Sequence, residues 1–276
     1  LHMRQHGWMA ATALAAGIMA ALAVTGWAAQ PGLGTVKAGL RGTAGYRLQA
    51  EEKGPGVSGM GAALEPGITP GPAVVDGVIQ PHNLTGAEGA DQLIVVVGTG
   101  GCNADTYYYK KGDDTWNLVW KEASIVGRGG ITSEKAEGDG RTPAGTYGFT
   151  MAFGLKDDPG SVLPYHKIVK GDYWVDDPAS AYYNKLVNTS TTPRTWNSAE
   201  NLAAASPYYD YALALDYNQD CVPGKGSAIF LHCFTASADN GSAGCIRLPE
   251  ARAKELVQSA TGQTRIVIAG NLESLR

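Results

Sequence analysis

The sequence predicts a mainly β domain with few short helices. Three observations favour this fold class. The chain contains 37 glycines, its aromatic residues come in clusters such as Tyr107-Tyr108-Tyr109, and its apolar runs are short and rich in β-branched residues. This combination favours short strands joined by tight turns over a helical bundle.

The predicted strands follow one another from residue 91, where we expect the folded domain to begin. Residues 93–97 form a β-branched run that ends at Gly98, which is typical of a buried strand. Residues 106–110 and 117–121 flank a polar turn and predict a hairpin. Further strands are predicted at residues 145–151, 211–217, 228–234 and 264–269, with a helix at residues 249–259.

The N-terminus carries a targeting signal. A short, weakly basic start at residues 3–6 precedes an uncharged stretch from Trp8 to Trp27, and small residues follow at Ala28 and Ala29. Residues 1–29 therefore resemble a secretory signal peptide, and the alternative is a single membrane anchor. Both interpretations predict that the rest of the chain is exported, and the second gives a membrane tether.

Residues 30–90 are rich in Gly and Pro and show no sustained apolar period. Such a composition buries little apolar surface, so we predict a flexible linker here. The folded domain is then predicted to span residues 91–276.

Residues 154–209 form a long, irregular, aromatic segment within the predicted domain. Long loops in compact domains tend to be functional. Tyr173 and Trp174 within it are therefore candidates for lining a substrate groove. The alternative is that they pack the segment onto the sheet, as aromatic side chains often do.

The charge pattern bears on the partners of the chain. The formal net charge is -4 and no Lys/Arg-rich run is present, which argues against nucleic acid. The histidines and aspartates lack the spacing of metal ligands, so no metal site is predicted.

The residues with the clearest chemistry lie between positions 229 and 248. An apolar run delivers His232 at its end, and Cys245 follows thirteen positions later, after Gly244 and just before the predicted helix. A thiol needs a nearby base to attack a carbonyl, and glycine allows a sharp turn whose N–H groups could face an oxyanion. Arg247 could bind a substrate carboxylate, or it could be an ordinary surface residue.

Two separated motifs carry a family resemblance. Ser242-x-Gly244-Cys245-Ile246-Arg247, with His232 upstream, resembles the signature of the L,D-transpeptidases (YkuD-type). Residues 138–147, which contain Thr142-Pro143, resemble a second motif of that family. The resemblance spans about residues 91–270 and implies a β-sandwich with a catalytic cysteine in a long loop.

The resemblance also implies an activity. Cys245 would attack the L-centre carbonyl of a diamino acid in a peptidoglycan stem tetrapeptide and release D-Ala. The thioester would pass to an amine, forming a 3→3 cross-link, or to water, as in an L,D-carboxypeptidase. His232 would act as base and then acid, Gly244 would help hold the oxyanion, Ser242 and Arg247 would contact substrate, and no cofactor would be needed.

This sequence departs from the family pattern at two positions. Ala243 stands where many members have His, which leaves the base role to His232 alone. Cys233 follows His232 where Gly or Ser is common, although its backbone carbonyl could still orient the imidazole.

The four cysteines leave alternatives open. Cys245 could be half of a structural disulfide, as cysteines of exported proteins often are. For the others we expect a disulfide between Cys102 and Cys221, with Cys102 and Cys233 as the alternative pair. The competing functions are a non-catalytic wall-binding module and a general cysteine endopeptidase. No cysteine lies in a papain-like or caspase-like signature, which argues against the endopeptidase.

Overall fold

The computed structural model describes residues 71–113, 115–234 and 240–276. Residues 1–70, which hold the predicted leader and most of the predicted linker, lie outside this range. None of the helices in the described ranges has the length and apolar character needed to cross a membrane.

Strands dominate the described residues, as predicted. In chain order they are β1 (Val74–Val75), β2 (Val78–Ile79), β3 (Gln92–Gly100), β4 (Asn103–Lys111), β5 (Trp116–Ile125), β6 (Ile131–Thr132), β7 (Thr142–Pro143), β8 (Gly145–Tyr147), β9 (Phe149–Gly154), β10 (Tyr165–Lys167), β11 (Asp172–Val175), β12 (Leu186–Asn188), β13 (Ala199–Asn201), β14 (Ala212–Leu215), β15 (Phe230–Cys233), β16 (Ile246–Leu248) and β17 (Arg265–Ala269). The α-helix is α1 (Glu250–Ser259), and short 3₁₀ turns cover Pro81–Asn83, Leu202–Ala204 and Leu272–Ser274.

Ten of these strands form one mixed sheet in the order β10-β9-β14-β15-β16-β5-β4-β3-β17-β8. The predicted hairpin is β4 paired with β5, and the β-branched run lies in β3, an interior strand between β4 and β17. The helix follows β16, a three-residue strand that the sequence did not predict. Cys245 therefore precedes a strand, and the prediction that it lies immediately before the helix is wrong.

The sheet must fold back on itself. β9 is second in the strand order and β8 is last, yet only Gly148 separates them in the chain. Eight strand spacings of a flat sheet would put them roughly 38 Å apart, far more than one residue can span. The two ends of the sheet therefore lie side by side, which confirms the mainly β, two-layered fold.

The main core fills the space inside the folded sheet. Val96, Tyr108, Leu213, Leu231 and other buried apolar side chains from both layers contact one another there, and α1 adds its own buried face to the cluster. Because side chains alternate along a strand, Phe230 faces away from this core, into a second cluster outside β9, β14 and β15.

The segment 71–90 corrects the predicted start of the domain. Ile79, Leu84, Ala87 and Ala90 are buried in a third cluster against the outer face of β3 and β17. The linker prediction is therefore wrong for this stretch, because isolated apolar side chains among its Gly and Pro residues pack against the sheet.

The segment 154–209 is less irregular than predicted. It contains a three-stranded antiparallel sheet in the order β12-β11-β13. Trp174 of β11 and Leu202 pack against Phe153 and Phe230, so the segment covers the outer face of the main sheet beside β15. This places its residues 200–209 next to the predicted catalytic residues.

Candidate active site

The pairing of β15 with β16 builds the site. These strands are parallel, and His232 lies opposite Arg247 in the register. Leu231 and Ile246 point into the main core, so His232, Arg247 and Cys245 share the opposite face by alternation. All three line a cavity of about 280 Å³, together with Glu200, Asn201, Ala205, Tyr208, Tyr209, Ser242 and Ala243.

Ser242 closes the turn that presents the cysteine. Its buried hydroxyl donates to the Cys245 carbonyl oxygen at 2.6 Å and accepts from the Gly244 N–H at 2.9 Å. Both bonds stay within residues 242–245. Ser242 thus lines the cavity while its hydroxyl serves the backbone, and the Gly244 N–H predicted to face an oxyanion is directed at Ser242.

The two sequence motifs meet at Thr142. Its side chain is fully buried, and Oγ1 donates to the Gly244 carbonyl oxygen at 2.7 Å while accepting from the Gly127 N–H at 2.8 Å. Gly244 has φ +155°, and a Cβ there would lie 3.0 Å from the Arg141 carbonyl oxygen. The Thr-Pro motif therefore supports the backbone next to Cys245.

The Cys245 thiol is buried and makes two hydrogen bonds to the backbone. It donates to the Ala228 carbonyl oxygen at 3.2 Å, and its sulfur accepts from the Phe230 N–H at 3.4 Å. Burial, and then the nearby Glu200 carboxyl, raise the pKa of the Cys245 thiol to about 12. The thiol is therefore neutral at rest and needs a base before it can attack.

His232 is the candidate for that base, and a backbone contact orients its ring. Its Nδ1 lies 2.8 Å from the Cys233 carbonyl oxygen, as expected from the sequence. Because a carbonyl only accepts, Nδ1 carries the proton and the lone pair is on Nε2. The rings of Tyr208 and Tyr209 pack edge-on against the imidazole, with centroids 6.1 Å and 4.9 Å away.

Arg247 is fixed by the ring beside it. Its guanidinium lies 4.8 Å from the centroid of the Tyr208 ring, within the range of a cation–π contact. Since Arg247 also lines the cavity, its position suits the predicted contact with a substrate carboxylate.

The structure does not bring Tyr173 and Trp174 into this cavity. As neighbours on β11 they face opposite ways. Trp174 is buried against Phe153 and Phe230, and its indole N–H donates to Asn184 at 3.0 Å. Tyr173 instead contacts Trp196 and lines a separate surface cavity. The packing alternative therefore describes Trp174.

Glu200 and Tyr209 are site residues that the sequence did not reveal. The Tyr209 hydroxyl donates to the Glu200 carboxylate. Burial raises the pKa of the Glu200 carboxyl from 4.5 to about 7, with smaller contributions from Asp176 and other charges. Both residues lie in the segment 154–209, far from the motifs in sequence, and no spacing pattern marks them.

We expect the raised pKa of Glu200 to make stability depend on pH. The protonated carboxyl favours the folded state, so its contribution is complete below about pH 4.5 and is lost as the pH rises through about 7. Relative to Glu200→Gln, the wild type should lose up to about 3 kcal/mol between those limits. Urea unfolding of both proteins across this range measures the difference, and parallel curves would contradict it.

The structure forms neither of the expected disulfides. Cys221 and Cys233 are both free thiols, and each donates to a backbone carbonyl, of Gln219 and Tyr211 respectively. Cys233 faces the main core, because it alternates with His232 along β15. Cys245 is a free thiol as well. Across the described ranges, no group of three or more His, Cys, Asp or Glu side chains is arranged to hold a metal ion.

Comparison with solved structures finds weak similarity. Bd1075 of Bdellovibrio bacteriovorus is 15% identical with a TM-score of 0.37, over 66% of this chain and 49% of that one. L,D-transpeptidase 1 of Mycobacterium tuberculosis is 16% identical with a TM-score of 0.32, over 66% and 62%. An L,D-transpeptidase of Mycobacterium smegmatis is 14% identical with a TM-score of 0.31, over 65% and 58%. The matched region thus spans less than two thirds of each of these structures.

Comparison with protein families gives a clear assignment. No curated protein sequence matches the chain. Residues 93–268 match the YkuD model, described as the L,D-transpeptidase catalytic domain. This match covers more than half of the chain, runs from β3 to β17, and includes both motifs and the residues that line the cavity. The chain therefore belongs to the L,D-transpeptidase catalytic-domain family.

Proposed function

We propose that this protein is a peptidoglycan L,D-transpeptidase that forms 3→3 cross-links through a thioester on Cys245. The observation that carries the proposal is the shared cavity of Cys245 and His232, in which the Cys233 carbonyl directs the imidazole lone pair to Nε2. The free thiol of Cys245 argues against a binding module whose cysteine is locked in a disulfide.

The reaction begins with the neutral thiol. Nε2 of His232 takes the proton from Sγ of Cys245 as the sulfur attacks the L-centre carbonyl of the donor diamino acid. Proton transfer during attack avoids a free thiolate, which the burial of Cys245 disfavours. The imidazolium then returns the proton to the leaving D-Ala amine, and the thioester remains on Cys245.

The second half of the reaction regenerates the thiol. His232 takes a proton from the attacking amine of a second stem, the amine forms the new amide bond, and Sγ leaves and regains its proton. Water in place of the amine makes the reaction an L,D-carboxypeptidase step. Arg247, fixed on Tyr208, binds a donor carboxylate at the cavity wall.

We also propose that the enzyme acts outside the cytoplasm, in the cell envelope. Residues 1–29 then serve as signal peptide or membrane anchor, and the following residues up to 70 link that segment to the domain.

Intact-mass spectrometry of the full chain with a disaccharide tetrapeptide tests the proposed function. We expect a transient adduct on Cys245 with loss of D-Ala. A cross-linked dimer identifies the transpeptidase, and a tripeptide identifies the carboxypeptidase. The absence of both adduct and product would reject the enzyme and leave the wall-binding module.

We expect Ala243→His to be tolerated. Ala243 is exposed at the cavity, so a larger side chain has room there. The unfolding temperature should change by less than about 2 °C, since exposed substitutions seldom exceed about 0.5 kcal/mol. A scanning calorimetry trace with a collapsed transition would show that the site turn is built differently.

A further inference from the structure

The catalytic cavity contains an acid that the reaction above does not use. Glu200 sits on β13, whose pairing with β11 places it opposite Trp174. It lines the cavity with Cys245, His232 and Arg247. A half-buried carboxyl in a reaction cavity is costly to ionise, so its presence there calls for a functional explanation.

A continuous set of contacts joins this acid to the base. The Tyr209 hydroxyl donates to the Glu200 carboxylate. The Tyr209 ring is buried and stands at 87° to the His232 imidazole, and the rings of Phe230 and Phe153 pack against it at 84° and 71°. The ring is therefore held at one end by Glu200 and along its edges by the core, and it packs against one side of the imidazole.

The charges around Glu200 come from several elements. Asp176 follows β11, Glu137 lies in the loop before β7, and Arg247 lies on β16. Two of these three are acids, which favour the protonated carboxyl, and the guanidinium favours the ionised one. The Cys245 thiol and the His232 imidazole complete the set of titratable groups that share its cavity, with the two tyrosines.

We propose that Glu200 and Tyr209 are positioning residues for the Cys245–His232 pair. Tyr209 holds the imidazole in place, and the charge on Glu200 controls how readily Cys245 gives up its proton. The inference rests on the proposed function for its role in turnover, but its electrostatic part concerns Cys245 alone.

The charge on Glu200 should make the reactivity of Cys245 depend on pH. Below about pH 7 the carboxyl of Glu200 is mostly neutral and leaves the thiol unaffected. Above that pH its negative charge opposes formation of the thiolate, because like charges in a low-dielectric cavity repel. The reactivity of Cys245 should therefore rise less steeply with pH through this region than that of an isolated thiol.

Alkylation of Cys245 by iodoacetamide, read by peptide mass spectrometry, tests this without substrate. Peptide-level reading separates Cys245 from Cys102, Cys221 and Cys233. We compare Glu200→Gln with wild type as a ratio of rate constants, which cancels the effect of His232. The ratio should be near one at acidic pH and rise to a plateau of about threefold, with its midpoint near pH 7. A shift of about one pKa unit gives tenfold more thiolate, which is itself about threefold less nucleophilic.

Two further variants test the role of Tyr209. Tyr209→Phe keeps the ring but removes the donor to Glu200. The midpoint of the Glu200→Gln ratio, measured in proteins that carry Tyr209→Phe, should therefore move to higher pH. Tyr208→Phe is the matched control, because Tyr208 also packs on His232 and its midpoint should not move. A ratio that is the same at every pH would show that Glu200 has only a structural role. An unmoved midpoint in Tyr209→Phe would show that Tyr209 does not influence the charge on Glu200.

The alkylation experiment and the acyl-enzyme measurement with tetrapeptide together distinguish the two proposals. A pH-dependent ratio in a protein that forms no acyl-enzyme would support the electrostatic coupling and reject the transpeptidase. A normal acyl-enzyme with a ratio that does not change with pH would support the transpeptidase and reject the electrostatic coupling.

Discussion

Cys245→Ala should abolish release of D-Ala, with a loss of about 10⁴-fold or more, because in the proposed mechanism the bond to the acyl group forms at the Cys245 sulfur. The fold should survive. The lost sulfur contacts are one with the Phe230 N–H and one with the Ala228 carbonyl, each worth about 1 kcal/mol. Product analysis by mass spectrometry, with circular dichroism for the fold, measures both effects.

Cys233→Ala is the matched control. Cys233 is also buried and burial raises its thiol pKa to about 12, but it faces the core on the other side of β15. Its substitution should cost about 1 kcal/mol of stability and keep the Cys245 adduct. Full turnover by Cys245→Ala, or loss of turnover only in Cys233→Ala, would show that the nucleophile has been assigned to the wrong cysteine.

Thr142→Val should produce the largest loss of stability among conservative changes at the site. Valine matches the shape of threonine but leaves the Gly127 N–H and the Gly244 carbonyl without their buried partner. Each unsatisfied buried group costs about 1–3 kcal/mol, so the two together should lower the unfolding free energy by about 2–6 kcal/mol. For a domain of this size that corresponds to a drop of roughly 5–20 °C in unfolding temperature.

Thr142→Ser separates the hydroxyl from the methyl group. Serine keeps both hydrogen bonds and loses only one buried methyl, so it should cost about 1 kcal/mol. Alkylation of Cys245 should also become faster in Thr142→Val, because the turn at residues 242–245 loses its support, and stay unchanged in Thr142→Ser. Equal stability of the two variants would show that the link between the motifs carries little energy.

The strands that the sequence predicted share one property, a run of apolar or aromatic residues long enough to be distinctive. Residues 94–97 are all β-branched and lie in β3, and the hairpin had a polar turn between an aromatic run and a mostly apolar one. Cys245 and His232 were predictable for a different reason. Their neighbours are glycines and apolar residues in an order that backbone geometry and thiol chemistry both require.

The missed features have short-range patterns too weak to detect. β16 has three residues, and its partners are β15 and β5, the latter about 120 positions earlier. Glu200 reaches the cavity only because β13 pairs with β11 and the segment 154–209 packs over Phe230. The buried residues before Asp91 are single apolar side chains among Gly and Pro. Pairing over long distances determines all three.

The pairing of β3 with β17 has a consequence for how the protein is made. Leu93 lies opposite Arg265, so one side of β3 has no partner until β17 has been synthesised, more than 160 residues later. A nascent chain that has completed the β3–β5 meander still exposes this strand edge, and contacts of such sequence separation form slowly. Until β17 has emerged from the ribosome, the exposed edge of β3 is a site for aggregation or for binding by a chaperone.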